Sequence, residues 1–435
     1  MLTRRQFLAT SSAALLAQPR RRPNVLVFMT DQESGRRGDL PGPADTPNRR
    51  KIDQIGTRFT SAFCNTPQCS AARSSLFTGL EPHQTGVITN VDGSSLGKPL
   101  SPSLPTVGSV FRSAGYSTGY FGKWHLGNAR AGLREFGFDT YPGERGGDDE
   151  AARQAAEWIR QQKGPWLAWI SVVNPHDIYS VGKEWERIRL RPGVKPPVTD
   201  VRNLEGKPTE QREYVEKDQG KAAASFGPQQ WIRYRSYYLD LLEKADENLG
   251  TVLGAVPDLN STIIVYTSDH GDALGEHGLA FKGPFMYEEN IHIPLVIAAP
   301  GVFGRGERDD LVTQADLAPT LAGLGGLQWP RAVTGRDLSK KAPERDAVFL
   351  EYYAKQKWIN PIRTIRTRKW KLNWYDRGNK ELYDLANDPH ETKNLAGNPA
   401  AAAVQTELEK RLEAWRPPML KPYRRFRRLH GSIRG

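Results

Sequence analysis

Buried strands and amphipathic helices alternate along most of the chain. Residues 24–30 form a continuous apolar run that turns polar at Asp31, which predicts a strand buried on both faces. Similar runs predict strands over residues 116–124, 166–173, 262–268 and 293–298. Helical periodicity and stop signals predict helices over residues 105–114, 148–162 and 231–252. This alternation predicts an α/β fold with a mostly parallel sheet and helices on both faces.

The pattern changes towards the C-terminus. Short strands are predicted over residues 348–353, 362–368 and 370–375, and a final helix over 399–415. They indicate a smaller α+β subdomain with an antiparallel sheet, since 435 residues are more than one core usually fills. Residues 180–228 are polar with little periodicity, which predicts a long loop that is functional or disordered.

The first residues stand apart from the fold. The sequence T-R-R-Q-F-L at residues 3–8, followed by a short apolar run through Ala17, is typical of a twin-arginine export signal. An ordinary basic N-terminus is the alternative. We therefore predict a signal peptide over residues 1–20, a large main domain over 21–345 and a C-terminal subdomain with a basic tail over 346–435. No later stretch approaches the ~20 apolar residues of a membrane span.

The formal net charge is +12. Part of it lies in the export signal and part in the arginine-rich residues 421–434. A positive field attracts anionic ligands, and sulfated glycans, nucleic acid and anionic lipid would all fit. A solvated basic tail explains the charge more simply than any one of these partners, and we expect no nucleic-acid partner.

Polar pairs follow two of the predicted strands. Asp31 and Gln32 come after the first strand, and Asp269 and His270 come after residues 262–268. In open α/β sheets, the carboxyl ends of the strands gather binding residues at one edge. Either pair alone would be commoner as a turn, but two carboxylates, an amide oxygen and an imidazole together can hold a divalent cation.

A cysteine with unusual neighbours carries most of the chemical information. Residues 67–79 read P-Q-C-S-A-A-R-S-S-L-F-T-G, which closely resembles the sulfatase signature C-x-P-x-R followed by S-L-x-T-G. The resemblance implies that Cys69 is converted to the aldehyde formylglycine by a formylglycine-generating enzyme. Ala71 stands where the family usually has proline. The alternatives are a disulfide between Cys64 and Cys69 or a pair of inert buried thiols.

Further motifs resemble the same family. Residues 122–127 match G-K-W-H-L-G, and on an extended strand Lys123 and His125 would point to one face. His176 lies in an N-P-H segment, and Lys282 in F-K-G-P-F-M-Y-E-E resembles the family's sulfate-binding lysine. The alternatives are a surface Lys/His pair, a polar loop histidine and a solvated lysine. Other matching segments fall in family order at residues 46–48, 82–87, 293–295, 315–321 and 381–395, so the resemblance spans nearly the whole mature chain.

The resemblance implies an exported sulfatase with the alkaline-phosphatase-like fold. It implies a divalent cation, most commonly Ca²⁺, with Mg²⁺ or Mn²⁺ as alternatives, held by Asp31, Gln32, Cys69, Asp269 and His270. It also implies catalytic roles on a sulfate monoester. These are the nucleophile at Cys69, charge stabilisation by Arg73, Lys123 and Lys282, a general acid at His176 with Lys282 as the second candidate, and a general base at His125.

Two rival interpretations remain open at this point. A phosphonate monoester or phosphodiester hydrolase of the same superfamily also uses formylglycine and an Asp-Gln pair, although the G-K-W-H-L-G motif favours sulfate. A non-catalytic glycan-binding protein could keep the fold and lose maturation through Ala71. A carbohydrate sulfate, an aryl sulfate and choline sulfate all stay open as substrates. The export signal predicts a periplasmic or otherwise exported protein that uses the twin-arginine machinery.

Overall fold

The computed structural model describes residues 22–36, 44–92, 96–127, 129–199, 204, 206–355 and 358–415. The predicted export signal and the basic tail lie outside the described residues. Among the helices of the described part, none is both long and apolar enough to cross a bilayer.

Thirteen strands are formed by the described residues. They are β1 (Asn24–Asp31), β2 (Thr57–Phe59), β3 (Ala62–Phe63), β4 (Ser117–Gly122), β5 (Trp166–Pro175), β6 (Thr262–Ser268), β7 (Leu295–Ala298), β8 (Gly306–Arg308), β9 (Val312–Thr313), β10 (Ala347–Lys355), β11 (Trp358–Thr367), β12 (Trp370–Tyr375) and β13 (Lys380–Asp384).

Eleven α-helices accompany them in the same part of the chain. They are α1 (Pro47–Ile55), α2 (Cys69–Thr78), α3 (Pro82–Thr85), α4 (Val107–Ser113), α5 (Gly147–Gln161), α6 (Val181–Glu184), α7 (Thr209–Lys217), α8 (Pro228–Leu253), α9 (Glu288–Ile291), α10 (Leu317–Leu324) and α11 (Ala402–Trp415).

A seven-stranded sheet forms the centre of the molecule, in the order β4-β5-β1-β6-β7-β2-β8. The strands β4, β5, β1 and β6 are parallel, whereas β7 is antiparallel to both of its neighbours. Alternate residues of β1 enter two different cores, with Val25 and Val27 on one face and Leu26 and Phe28 on the other. The predicted mostly parallel, doubly covered sheet is therefore confirmed.

Helices cover both faces of this sheet. On one face, alanines of α5 and the apolar stripe of α8 pack on Leu26 and Phe28. Small alanine side chains let α5 approach the sheet closely, and the stripe on α8 follows the predicted three-and-four spacing. On the other face, α2, α4 and α10 pack on Val25 and Val27.

A second, four-stranded antiparallel sheet follows in the order β10-β11-β12-β13. Its Ile365, Leu372 and Leu382 pack against Leu408 and Leu412 of α11 in a small core of their own. Three of the four strands are predicted from the sequence. The fourth, β13, is short and polar at both ends, so its sequence lacks a recognisable strand pattern. The smaller C-terminal α+β subdomain is therefore confirmed, and its boundary at residue 346 stays a prediction.

The short helix α3 links α2 to this second sheet. His83 on α3 has its Nδ1 3.0 Å from Oε1 of Glu351 on β10. Glu81, which caps α3, accepts a hydrogen bond from Asn65 Nδ2 at 2.6 Å. Thr85 Oγ1 lies 2.9 Å from Ser74 Oγ on α2. The start of the C-terminal sheet is thereby tied to the helix that begins at the predicted nucleophile.

The structure corrects one predicted loop and two predicted strand boundaries. Residues 180–228 contain α6, α7 and a 3₁₀ turn at Gln219–Ala223, because tertiary burial of Gln211 and Tyr214 stabilises a helix with weak periodicity. The strand predicted over 116–124 ends at Gly122 in a left-handed conformation, φ +93°. The strand predicted over 293–298 starts at Leu295.

Candidate active site

Cys69 is the first residue of α2, and all ten residues of that helix are buried. A helix N-terminus directs unpaired N–H groups and the positive end of the helix dipole towards its first residue. Cys64 is also buried, but its Sγ lies 3.7 Å from the Asn290 carbonyl oxygen and both thiols are free. The alternative of a disulfide between the two cysteines is therefore not what the structure shows.

A group of potential cation ligands surrounds Cys69. Asp31 ends β1 and Asp269 directly follows β6, and these two strands are parallel neighbours paired in register up to Thr30 and Ser268. One ligand atom from each of four buried residues lies within 4.8 Å of the others. The four residues are Asp31, Cys69, Asp269 and His270.

Two further observations fit this group to a cation. His270 Nδ1 lies 2.9 Å from the Gly271 carbonyl oxygen, so Nδ1–H donates there and Nε2 keeps a lone pair that faces Cys69. Gln32 has a left-handed backbone, φ +74°. Its Oε1 is buried without a hydrogen-bond partner among the described residues. A buried amide oxygen is costly to leave unpaired, and a cation would satisfy it.

Arg73 lies one helical turn after Cys69 and holds the two carboxylates. Its Nε donates to Asp269 Oδ2 and its Nη2 to Asp31 Oδ2, both at 2.9 Å. Its Nη1 donates to the Lys123 carbonyl oxygen at 2.7 Å and to Ser171 Oγ at 2.8 Å. All three nitrogens are thus engaged with protein atoms, and the guanidinium fixes the carboxylates in place.

Two lysines direct their ammonium groups to the same point. Lys282 Nζ lies 2.7 Å from Cys69 Sγ and 2.8 Å from His270 Nε2. Lys123 Nζ lies 2.6 Å from Asp31 Oδ2 and 3.9 Å from Cys69 Sγ.

These charges decide the pKa values of the site. Burial and Asp31 act to raise the pKa of the Cys69 thiol, but Lys123 and Lys282 hold it well below its ordinary value. Burial lowers the pKa of Lys282, but Cys69 and Asp31 outweigh burial and the net shift is upward. The position of Cys69 Sγ therefore favours negative charge.

The two predicted acid–base histidines, His176 and His125, have different surroundings. His176 begins the turn after β5, and burial, Lys123 and Lys282 lower its pKa to about 3. Its ring packs on Tyr179, 4.9 Å between centroids, and Tyr179 stacks on Phe281. His125 has φ +56°, and its carbonyl oxygen accepts a hydrogen bond from Ser70 Oγ at 2.5 Å.

The environment of His125 differs from the sequence prediction. Lys123 and His125 follow the end of β4 instead of lying on it, while Trp124 between them is fully buried. The Nδ1 atom of His125 is buried with no hydrogen-bond partner among the described residues. The contact of His125 with the segment of Cys69 is made through the main chain.

Two buried polar residues that hydrogen-bond to site residues, Ser171 and Asp272, were not predicted from the sequence. Ser171 is one polar residue within the apolar run of β5, and that interruption is the signal that could have found it. Asp272 lies two residues after His270 and accepts hydrogen bonds from Gln32 Nε2 and the Tyr234 hydroxyl. Burial raises the pKa of Asp272. Asp272 and Gln32 are 240 residues apart in the chain, so no local sequence pattern could reveal their contact.

Family models match both parts of the chain. The sulfatase family model matches residues 23–327, which is more than half of the chain. A model described as N-sulphoglucosamine sulphohydrolase, C-terminal, matches residues 275–417. The match therefore covers both the large sheet and the antiparallel sheet.

Individual relatives agree with these models. A choline-sulfatase from Rhizobium meliloti is 28% identical over 89% of this chain and 85% of its own length. The structure of a 2-O GAG sulfatase matches with a TM-score of 0.81 and 26% identity, over 93% of this chain and 94% of that one.

A phosphonate monoester hydrolase of Agrobacterium radiobacter shares the fold, with a TM-score of 0.75 and 23% identity over 90% of this chain and 95% of that one. The family match extends over both sheets and over the residues around Cys69. The chain therefore belongs to the sulfatase family of sulfuric ester hydrolases.

Proposed function

We propose that this chain hydrolyses a sulfate monoester to an alcohol and sulfate, with Cys69 matured to formylglycine and a divalent cation beside it. The observation that carries the proposal is the meeting of Lys282, Lys123 and His270 at one buried atom, Cys69 Sγ. Buried cationic side chains at a helix N-terminus suit a tetrahedral anion such as sulfate.

The ligands proposed for the cation are Asp31, Gln32, Asp269, His270 and the matured Cys69. Their mostly oxygen donors suit Ca²⁺, our first choice, and also Mg²⁺ or Mn²⁺. When bound, the cation supplies a Lewis acid that favours an anionic nucleophile and withdraws charge from the ester. Arg73 acts in this proposal through the two carboxylates that it holds.

The sulfur of Cys69 occupies the place of the hydrated aldehyde oxygens. A geminal diol has one hydroxyl to attack sulfur and a second whose proton can leave later, so that sulfate departs and the aldehyde returns. Lys123 and Lys282, whose Nζ atoms lie 3.9 and 2.7 Å from Cys69 Sγ, are proposed to stabilise the anionic attacking oxygen and the sulfuryl oxygens. His125 is the proposed base for the second proton.

Protonation of the leaving alcohol is assigned to His176, with Lys282 as a second donor. In the free enzyme a pKa of about 3 keeps His176 neutral. Binding of an anionic ester beside it favours the protonated imidazole, since an opposite charge raises the pKa of a base. The pKa of Lys282 is raised because Cys69 and Asp31 outweigh burial, which favours its protonated form as a donor.

Peptide mass spectrometry across Cys69, combined with a nitrophenyl sulfate assay, tests the proposal. We expect the mass of the aldehyde or its hydrate in the active fraction. A fully active protein with an intact thiol would contradict the maturation at Cys69. An inactive protein with an intact thiol would favour the rival glycan-binding interpretation, in which Ala71 prevents conversion.

A second candidate function is phosphonate monoester or phosphodiester hydrolysis. Two observations favour it, namely the Asp31-Gln32 pair and the shared fold with a phosphonate monoester hydrolase. Paired aryl esters that differ only in sulfate or phosphonate separate the two functions. We expect the larger kcat/KM for the sulfate, and a preference for the phosphonate would replace our first proposal.

The physiological substrate is proposed as a sulfated small molecule or glycan. A choline-sulfatase and a 2-O GAG sulfatase are both among the relatives, which keeps alkyl and carbohydrate sulfates together in this class. We further propose export to the periplasm through the twin-arginine machinery, on the evidence of the T-R-R-Q-F-L sequence near the N-terminus.

A further inference from the structure

Asp272 contacts the nitrogen end of the Gln32 amide. Gln32 Nε2 donates to Asp272 Oδ2 at 2.7 Å, and both side chains are fully buried. We propose that Asp272 is a positioning residue that fixes the orientation of the Gln32 amide, so that Oε1 is presented to the cation. This inference rests on the cation site of the proposed function.

The direction of every hydrogen bond in this network is determined by chemistry. The backbone N–H of Phe281 can only donate, and it donates to the Tyr234 hydroxyl oxygen at 3.2 Å. The Tyr234 hydroxyl therefore donates onward to Asp272, at 2.9 and 3.0 Å to its two oxygens. With Asp272 ionised, its carboxylate only accepts, so the Gln32 nitrogen faces Asp272 and the Gln32 oxygen faces away.

Asp272 itself is held at a second point. The backbone N–H of Leu274 donates to Asp272 Oδ1 at 2.8 Å. Gln32 is held in turn through its backbone N–H, which donates to Asp269 Oδ1 at 3.1 Å. With the nitrogen committed to Asp272, Gln32 Oε1 is left buried without a partner among the described residues. That oxygen is the atom that a cation would need.

The variant Asp272→Asn tests the orientation directly. The Leu274 N–H keeps the asparagine oxygen at the place of Oδ1, which puts the asparagine NH₂ opposite Gln32. Two NH₂ groups cannot pair, so the Gln32 amide turns over and presents its own NH₂ to the cation. We expect the cation affinity to fall by roughly 10–100-fold, as is typical when the partner of a metal ligand is removed.

Two combinations separate orientation from simple loss of charge. With Gln32→Ala, no amide is left to orient, so adding Asp272→Asn should change the affinity by less than about 2-fold. With Gln32→Glu, adding Asp272→Asn should strengthen binding, because the asparagine NH₂ can donate to one glutamate oxygen and leave the other for the cation. A purely electrostatic role of Asp272 would weaken binding in both backgrounds.

Calorimetric titration of Ca²⁺ into the chelator-treated full chain supplies a readout independent of turnover. Asp246→Asn is the matched control, because Asp246 is a buried aspartate of α8 that accepts from the backbone N–H groups of Asn48 and Arg49. It should leave the Ca²⁺ affinity unchanged. Should Asp272→Asn fail to fold, Tyr234→Phe is expected to weaken binding by a smaller factor, again only while Gln32 is present.

Asp31→Ala distinguishes the two ways in which the result can be negative. Retained Ca²⁺ affinity in Asp31→Ala would overturn the cation site itself. Loss of affinity in Asp31→Ala with wild-type affinity in Asp272→Asn would overturn only the positioning role. The positioning role would also be overturned if Asp272→Asn lowered the Ca²⁺ affinity by the same factor in the wild type and in the Gln32→Ala background.

Discussion

Replacing Cys69 by serine separates the aldehyde mechanism from catalysis by an ordinary hydroxyl. In Cys69→Ser, a serine hydroxyl can attack sulfur but has no second hydroxyl to expel sulfate from the covalent ester. We expect a stable sulfated active-site peptide, about 80 Da heavier, in a host without a serine-oxidising maturation enzyme. Repeated turnover at the wild-type rate by the unmodified serine would contradict the mechanism. Cys69→Ala, which should fold and stay unlabelled, is the control.

His176→Ala addresses proton transfer at the same scale. We expect a loss of about 10²–10⁴-fold in kcat/KM for alkyl sulfates, since a basic alkoxide needs a proton to leave. Nitrophenyl sulfates need little protonation and should lose far less. Measuring both substrates with both enzymes gives the comparison. A loss of equal size for the two leaving groups would assign His176 to binding instead.

Individual residues also show where prediction from the sequence reaches its limit. Cys69, Lys123 and Lys282 were singled out because short motifs resemble a family, and the structure brings all three together. Ser171 and Asp272 were missed because their partners, Arg73 and Gln32, are 98 and 240 residues away in the chain. The contacts of Arg73 with both carboxylates could likewise not be read from its place in the signature.

At the scale of elements, Glu81 at the N-terminus of α3 lies near Glu351 on β10, and the two acidic side chains affect the pH dependence of stability. Burial, and then the neighbouring Glu351, raise the pKa of Glu81 to about 8. Because this value lies above that of the unfolded chain, the contribution of Glu81 to stability is fully present below pH ~4 and is lost as the pH rises towards 8. Glu81→Gln removes that titration.

We therefore expect Glu81→Gln to gain thermal stability relative to the wild type as the pH rises from 5 to 9. Calorimetric unfolding midpoints at matched scan rates give the measurement. Gln84→Ala, in the same helix, removes the side chain that accepts from the backbone N–H of Glu81 and does not titrate. Its midpoint difference from the wild type should stay constant with pH. A constant difference for Glu81→Gln would contradict the raised pKa.

The regular elements themselves were largely predictable. Long apolar runs such as β1 and β6 need no tertiary information, because burial on both faces makes them apolar throughout. α7 and β13 were not predictable, because each is short and takes its burial from distant partners. The end of β4 at Gly122 was also missed, since the Ser171 carbonyl oxygen that leaves no room for a Cβ there comes from a neighbouring strand distant in the chain.

For the whole molecule, removal of divalent metal should abolish turnover and lower the unfolding temperature by a few degrees. A ligand at 100 times its Kd stabilises the native state by about 2.7 kcal/mol. Arg73 and Lys123 already pair with the two carboxylates, so the apo protein should remain folded. Chelation, dialysis and re-addition of Ca²⁺, followed by calorimetry and assay, give the measurement. Full turnover after chelation would contradict the cation site.

The burial of Cys69 has a consequence for the timing of biosynthesis. Lys282, which closes over the sulfur, is 213 residues downstream, so the pocket can form only after that stretch has been translated. At about 5–20 residues per second, the interval is roughly 10–40 s. On the proposal that Cys69 is matured and the folded chain is exported, the maturation enzyme has to reach Cys69 within this window, before folding encloses the thiol and before export. The yield of active protein should then follow the ratio of two rates, oxidation of the nascent chain and closure of the fold.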